Sequence, residues 1–336
     1  MAKPEDSVDI IDPVTTPAYE ERKFPVFQQL FLLLLVLGLV FGGAYVPQLL
    51  RDVSDEQTAT PIKPLPPIEN VEAISELPEL PIQARMAYVW DVREQRALYS
   101  KNPDDVWPLA SITKLMTALV AYELIESEKD VALSLEAIRQ DGNSGLIDGE
   151  RFSLSTLSDF ALVTSSNDAA YAMAQTAGAL LSNGNHTEAF VAGMNIRADE
   201  LGLMNTNFRN PTGLDVNETE AGAMGTARDV TFLMEYILKE HPEILEATQK
   251  TYDRVYNQDG AYHGSENTNA LAADIPNLIG SKTGYTDLAG GNLVVAYDTG
   301  LNRPIIVTVL GSSRNGRFQD VKTIIDAVSD GYSLKE

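Results

Sequence analysis

Cysteine is absent from this chain of 336 residues. Its absence excludes a disulfide framework, a thiolate nucleophile and a cysteine-ligated metal, and it is compatible with an oxidising compartment. Histidine is scarce. His186, His241 and His263 are the only three, and they lie without metal-ligand spacing. Each reads as a surface or loop residue, so no metal is expected. Positive charge is also in short supply, with 25 basic residues against 48 acidic ones and a net charge of −23. Such a chain is a poor partner for nucleic acid or anionic lipid headgroups, and the acidity reads as solubility. No internal repeat is visible.

Against these absences stand three short motifs. Ser111-Ile-Thr-Lys114 opens a segment that is apolar nearly all round, from Leu115 to Ile125. A helix without a polar face is a buried helix. Ser111 and Lys114, three residues apart, share one face of it, and Pro108 lies just upstream, where helices tolerate proline. Burial lowers a lysine's pKa, and a neutral lysine beside a serine can activate it without histidine. Read alone, the pair is equally an N-cap serine and a lysine that snorkels to solvent. Ser165-Ser-Asn167 falls at a break between two helical segments, where it also reads as an N-cap. Lys282-Thr-Gly284 ends an expected strand at Leu278–Lys282, and it reads alone as an edge lysine with a turn glycine.

The three together, in this order and these contexts, are the motif set of penicillin-binding proteins and β-lactamases. From about Ala84 to Tyr332 the chain resembles the serine-type D-alanyl-D-alanine carboxypeptidases, the low-molecular-mass penicillin-binding proteins. Supporting stretches are Pro108–Thr117, Asn205–Leu214 and Gly280–Asp287. The resemblance implies an α+β fold, with a five-stranded antiparallel sheet built from both ends of the domain, flanking helices and an inserted helical lobe. Helical periodicity at Ala110–Glu126, Leu154–Val163, Asp168–Leu181, His186–Leu201, Thr226–Lys239 and Phe318–Leu334 agrees with it. So do strand-like runs at Arg85–Val92, Arg96–Lys101, Leu278–Lys282, Asn292–Tyr297 and Pro304–Gly311.

The resemblance also implies roles. Ser111 attacks the carbonyl of a D-Ala-D-Ala bond, and Lys114 takes its proton. Ser165 relays a proton to the leaving amine, and Asn167 binds the substrate amide. Lys282, Thr283 and Gly284 receive the substrate, with the Tyr285 and Ser111 N–H groups as oxyanion donors. Arg317 matches a carboxylate-binding arginine, against the plainer reading of an exposed residue at the start of the last helix. Peptidoglycan stem peptides are the expected substrates and β-lactams the expected covalent inhibitors; no cofactor is expected. Three other readings stay open. A β-lactamase would need a water-activating carboxylate such as Glu200; a D,D-endopeptidase would carry the same motifs; a non-catalytic wall-binding tether would not need all three intact.

The N-terminus sets the compartment. Residues 24–50 carry no charge, and Leu30–Val46 is almost wholly apolar, long enough to approach a membrane span at roughly 1.5 Å per residue. Arg22 and Lys23 precede it, which places the N-terminus in the cytoplasm. The expected organisation is a cytoplasmic tail (1–23), a single-pass anchor in the cytoplasmic membrane (24–50), a Pro-rich extracytoplasmic linker (51–83) and the catalytic domain (84–336). A cleaved signal peptide is the rival, but its charged region would be unusually long. The linker could reach on the order of 100 Å.

Overall fold

Strands from both ends of the domain meet in one sheet, and the segment between them folds beside it. The computed structural model describes residues 77–333 except positions 143 and 301. The expected tail, the anchor at 24–50 and the linker as far as residue 76 lie outside the described residues. Among the described residues no helix is long and apolar enough to cross a membrane. Leu77, Leu80 and Ile82, expected as the end of the linker, pack on the core.

The chain runs through β1 (Met86–Asp91), β2 (Arg96–Lys101), β3 (Trp107–Pro108), a 3-10 turn (Ala110–Ile112) and α1 (Thr113–Leu124). It continues through β4 (Asp130–Ala132), α2 (Leu135–Ile138), β5 (Arg151–Ser153), α3 (Leu154–Val163), α4 (Asn167–Gly178) and α5 (His186–Glu200). Then come β6 (Asn207–Phe208), β7 (Ala223–Gly225), α6 (Ala227–Glu240), β8 (Tyr252–Tyr256) and β9 (Tyr262–Glu266). It ends with β10 (Leu278–Thr286), β11 (Gly290–Asp298), β12 (Pro304–Ser312) and α7 (Gly316–Ser333). Strand order in the main sheet is β10-β11-β12-β1-β2, all antiparallel.

The period-2 alternation of a strand divides the core between the two faces of this sheet. Met86 and Tyr88 of β1, Val294 and Ala296 of β11, and Ile306 and Leu310 of β12 face the helical lobe. Ala87, Val89, Leu293, Val295, Ile305, Val307 and Val309 face the other way, onto Val321, Ile324 and Val328 of α7. A one-residue slip would exchange the two sets. Side-chain oxygens cap the lobe helices: Ser153 for α3, Ser166 for α4, Asn185 for α5 and Thr226 for α6 each accept from a backbone N–H of the first turn.

The expected strand ending at Lys282 is longer: β10 continues to Thr286, with Thr283 opposite Leu293 and Gly284 opposite Asn292. Pairing along one side offsets the usual weakness of glycine in a strand. The β8–β9 hairpin was not expected, although Asp259-Gly260, with Gly260 at φ +84, carries a turn signal.

Candidate active site

Ser111 sits in a tightly held turn at the start of α1. Pro108 leaves β3, and Ala110 adopts φ +50. Ser111 follows within the 3-10 turn, and α1 starts at Thr113. The Thr113 hydroxyl donates to the Ala110 carbonyl at 2.7 Å. Two glycines let other backbone approach. A Cβ on Gly213 (φ +79) would stand 1.9 Å from the Ala110 oxygen, and one on Gly284 would stand 2.8 Å from the Leu109 oxygen. The buried amide of Asn292 completes the clamp: its Nδ2 donates to Pro108 O at 2.9 Å and to Leu109 O at 3.1 Å. The turn that carries Ser111 is thereby fixed to the sheet.

Residues Thr113 through Ala121 are all buried, and Lys114 goes with them at 0% exposure. Its Nζ lies 2.7 Å from Asn167 Oδ1, 2.7 Å from the Thr212 carbonyl oxygen and 3.0 Å from Ser111 Oγ. The Asn167 amide is oriented by its Nδ2, which donates to Asp141 O at 2.5 Å. Burial lowers the lysine's pKa to about 7, against an opposing pull from the Asp168 charge. A neutral amine has two N–H bonds and one lone pair. Asn167 and Thr212 present acceptors only, so they take the two N–H bonds. The lone pair then faces Ser111, whose hydroxyl can donate to it. This is the arrangement a serine–lysine nucleophile requires.

Ser165 stands at the corner between α3 and α4 in the left-handed region, at φ +63. Such a conformation costs a non-glycine residue energy, and it persists where the surroundings impose it. It brings Ser165 Oγ within 2.9 Å of Lys282 Nζ. Lys282 also donates to Thr283 O at 3.0 Å and is 1% exposed. Burial holds its pKa well below the ordinary lysine value, with Lys114 and Arg317 adding like-charge repulsion. The Thr283 hydroxyl contacts that of Thr268 at 2.7 Å. β10 is the edge of the main sheet, and an edge strand can accept an added extended segment.

The motif residues Ser111, Lys114, Ser165, Asn167, Lys282, Thr283 and Gly284 are therefore brought together from the 3-10 turn with α1, the α3–α4 corner and β10. Arg317 is buried, not exposed, near the start of α7. Its Nη1 donates to Gly284 O at 2.6 Å, and burial lowers its pKa to about 10. It holds the strand that carries the Lys282 motif. Tyr285, two-fifths exposed, lies under the Arg314 guanidinium at 5.0 Å. Sequence reasoning did not assign Thr212, Asn292, Thr268 or Gly213. The stretch Asn210-Pro-Thr-Gly213 was a usable signal for a rigid turn; the others carried none.

Glu200 ends α5 and is bound to Arg197 at 2.9 Å, which also reaches Glu123. Glu123 lies about 18 Å along α1 from Ser111 at 1.5 Å per residue, so Glu200 is tied to the end of the helix away from the serine. His263, expected on a surface or loop, is half-buried on β9 and contacts Glu150 at 2.8 Å. Among the described residues no group of three or more histidine or carboxylate side chains is placed to hold a metal ion.

A serine faced by a buried lysine, between a helical lobe and the edge strand of a five-stranded sheet, defines the penicillin-binding, acyl-transferring class of serine enzymes. The profile of the D-alanyl-D-alanine carboxypeptidases matches residues 72–314. The chain is 31% identical over 256 residues to the D-alanyl-D-alanine carboxypeptidase DacF of Bacillus subtilis, covering 74% of this chain and 63% of that one. It is 33% identical over 240 residues to a D-alanyl-D-alanine endopeptidase of Pseudomonas aeruginosa, covering 68% of this chain and 73% of that one. The ampicillin-bound penicillin-binding protein D2 of Listeria monocytogenes superposes with a TM-score of 0.61 at 32% identity, covering 74% of this chain and 98% of that one. This chain belongs to the D-alanyl-D-alanine carboxypeptidase family, a family of serine peptidases. It spans about three-fifths of the length of the DacF relative.

Proposed function

We propose that the protein is a membrane-anchored serine D,D-carboxypeptidase that removes the terminal D-Ala of peptidoglycan stem peptides. The observation that carries this reading is Lys114, buried, with its Nζ 3.0 Å from Ser111 Oγ and its two N–H bonds committed elsewhere. Ser111 Oγ attacks the penultimate D-Ala carbonyl as its proton passes to Lys114. The Ser111 and Tyr285 N–H groups stabilise the oxyanion. Collapse expels D-Ala, whose amine takes a proton through Ser165, beside Lys282. Water then hydrolyses the ester on Ser111 and releases the shortened peptide. Asn167 holds the substrate amide, and the Thr283 hydroxyl, the Lys282 amine and the Arg317 guanidinium receive the terminal carboxylate. Gly284 leaves room for the substrate to lie along β10. A β-lactam carbonyl would be attacked in the same way.

Benzylpenicillin should label the wild type covalently and fail to label Ser111→Ala. Labelling that survives in the variant moves the nucleophile elsewhere. The endopeptidase relative, whose length the chain covers more fully than that of DacF, supports a second reading, cleavage of crosslinks. Mass spectrometry of products from purified muropeptides separates the two: loss of single D-Ala residues supports the first, and monomers from dimers the second. The uncharged stretch 24–50 behind Arg22-Lys23 supports an uncleaved anchor with Ser111 outside the cytoplasm. N-terminal sequencing of membrane-extracted protein tests it; a mature chain starting near Tyr45 or later would refute the anchor.

A further inference from the structure

Thr268 follows β9 in a short bend and touches two parts of the catalytic cluster at once. Its hydroxyl lies 3.2 Å from the carbonyl oxygen of Val163, which ends α3 just before the Ser165 corner. The same hydroxyl lies 2.7 Å from that of Thr283 on β10. The asparagines on either side hold it there. Asn267 Nδ2 donates to Thr248 O and Lys250 O, each at 2.8 Å, and its Oδ1 accepts from the Asn269 N–H at 2.8 Å. Asn269 Nδ2 donates to Ser281 Oγ at 2.9 Å. Ser281 and Thr283 alternate onto one face of β10, so successive residues of the bend meet successive positions of that face. Asn269, Ser281 and Thr283 are all buried.

A count of hydrogens sets the direction of these contacts. A hydroxyl has one hydrogen and two acceptor sites. The Val163 oxygen only accepts, so the Thr268 hydroxyl donates to it, and Thr283 then donates to Thr268. The Val163 oxygen also accepts the Thr268 backbone N–H at 3.0 Å, so it keeps a partner when the Thr268 hydroxyl turns away. A substrate carboxylate is an acceptor only, and a bond to it is charge-assisted and stronger than one between two hydroxyls. We propose that Thr268 is a positioning residue for carboxylate recognition: its hydroxyl holds the Thr283 hydrogen in the free enzyme and, by reversing, releases that hydrogen to the substrate's terminal carboxylate. The proposal rests on the D,D-peptidase reading, which brings such a carboxylate to Thr283. After the reversal Thr268 donates to Thr283, and Thr283 donates to the carboxylate. Each hydrogen keeps an acceptor, and the two bonds polarise each other toward the negative charge. A strand side chain has more than one common χ1, and the contact with Thr268 holds Thr283 in one of them.

The test uses the full chain and a diacetylated peptide ending in L-Lys-D-Ala-D-Ala. Thr268→Val removes the hydroxyl at nearly constant size. KM should rise about fivefold, the weight of one ordinary hydrogen bond, while kcat stays near that of the wild type, because the carboxylate contact is made in ground state and transition state alike. Thr268→Ser keeps the hydroxyl and should keep the wild-type KM. In a Thr283→Val background, Thr268→Val should raise KM no further, since Thr268 acts through Thr283. An unchanged KM in Thr268→Val, an equal rise in Thr268→Ser, or a full further rise in the Thr283→Val background each overturns the proposal. Should Thr268→Val fail to fold, Thr268→Ala is read by the same criteria. Those outcomes in a wild type that hydrolyses the peptide leave the D,D-peptidase reading standing. A wild type that neither hydrolyses it nor takes a benzylpenicillin label overturns both.

Discussion

Two buried cationic sites in this protein follow opposite rules. Before the start of β12, Arg303 donates to Asp91 Oδ2 through Nε at 3.0 Å and Nη2 at 2.8 Å. Asp91 is fully buried and also accepts the backbone N–H groups of Arg93 and Glu94, each at 3.0 Å. Charge meets opposite charge, and the pair ties β1 and its turn to β12. At the active site two lysines are buried with no carboxylate bonded to either. Lys114 meets an amide, a carbonyl and a hydroxyl; Lys282 meets a hydroxyl and a carbonyl. A buried charge without a counter-charge is driven toward its neutral form. The structural site pairs its cation with a carboxylate, whereas the chemical site leaves Lys114 without one and lowers its pKa to about 7, which is what makes a lysine usable as a base.

The comparison is broken most severely at Lys114. Lys114→Arg keeps a cation that stays protonated. Penicillin acylation should fall by roughly 10²- to 10⁴-fold, the range for loss of a general base. In the wild type the acylation rate should rise with pH through about 7, following the neutral form of Lys114. Stopped-flow acylation that is flat between mildly acid and mildly alkaline pH would remove the base assignment.

Asp91→Ala is the counterpart at the structural site. It leaves a buried guanidinium unpaired, and the loss should be about 3–5 kcal/mol of stability by urea denaturation. The acylation rate of the folded fraction should stay near that of the wild type. A variant that loses acylation while keeping its urea midpoint would erase the contrast between the two sites.

The smallest expected effect sharpens the comparison by pH. Lys114 has a pKa of about 7 when folded and 10.5 as its ordinary value. Between these values the unfolded chain binds more protons. Wild-type stability relative to Lys114→Met should therefore rise with pH across that window and decline toward its lower end. Parallel curves for the two proteins across the window would show that Lys114 titrates normally in the fold.

Much of this was legible before the fold. The all-apolar run after Lys114 announced a buried α1, and the polar corner at Ser165–Asn167 fell between helices as expected. The flanking strands alternated clearly enough to place one antiparallel sheet. What escaped were short or weakly patterned pieces. The two- and three-residue strands β3 to β7 have no periodicity to read, and β8–β9 mixes glycine, charge and tyrosine on one exposed face. Arg317 could not be placed because an arginine at a helix start looks the same whether solvent or a strand carbonyl receives it.

The sequence by itself determined the chemical types, their order, and the local faces on which they stand: a serine and a lysine on one turn, a polar helix break, a lysine and a glycine on a strand. Tertiary structure alone decided that Lys114 is neutral-prone. Its pKa depends on desolvation by neighbours from α4 and from the Thr212 loop, 53 and 98 residues away in the chain. The same holds for the turn that carries Ser111, which is fixed by an amide on β11 and admitted by glycines on two other segments. A helical pattern reports which face is apolar; it does not report which distant carbonyl will occupy an amine's last hydrogen, and that contact is what turns the lone pair toward Ser111.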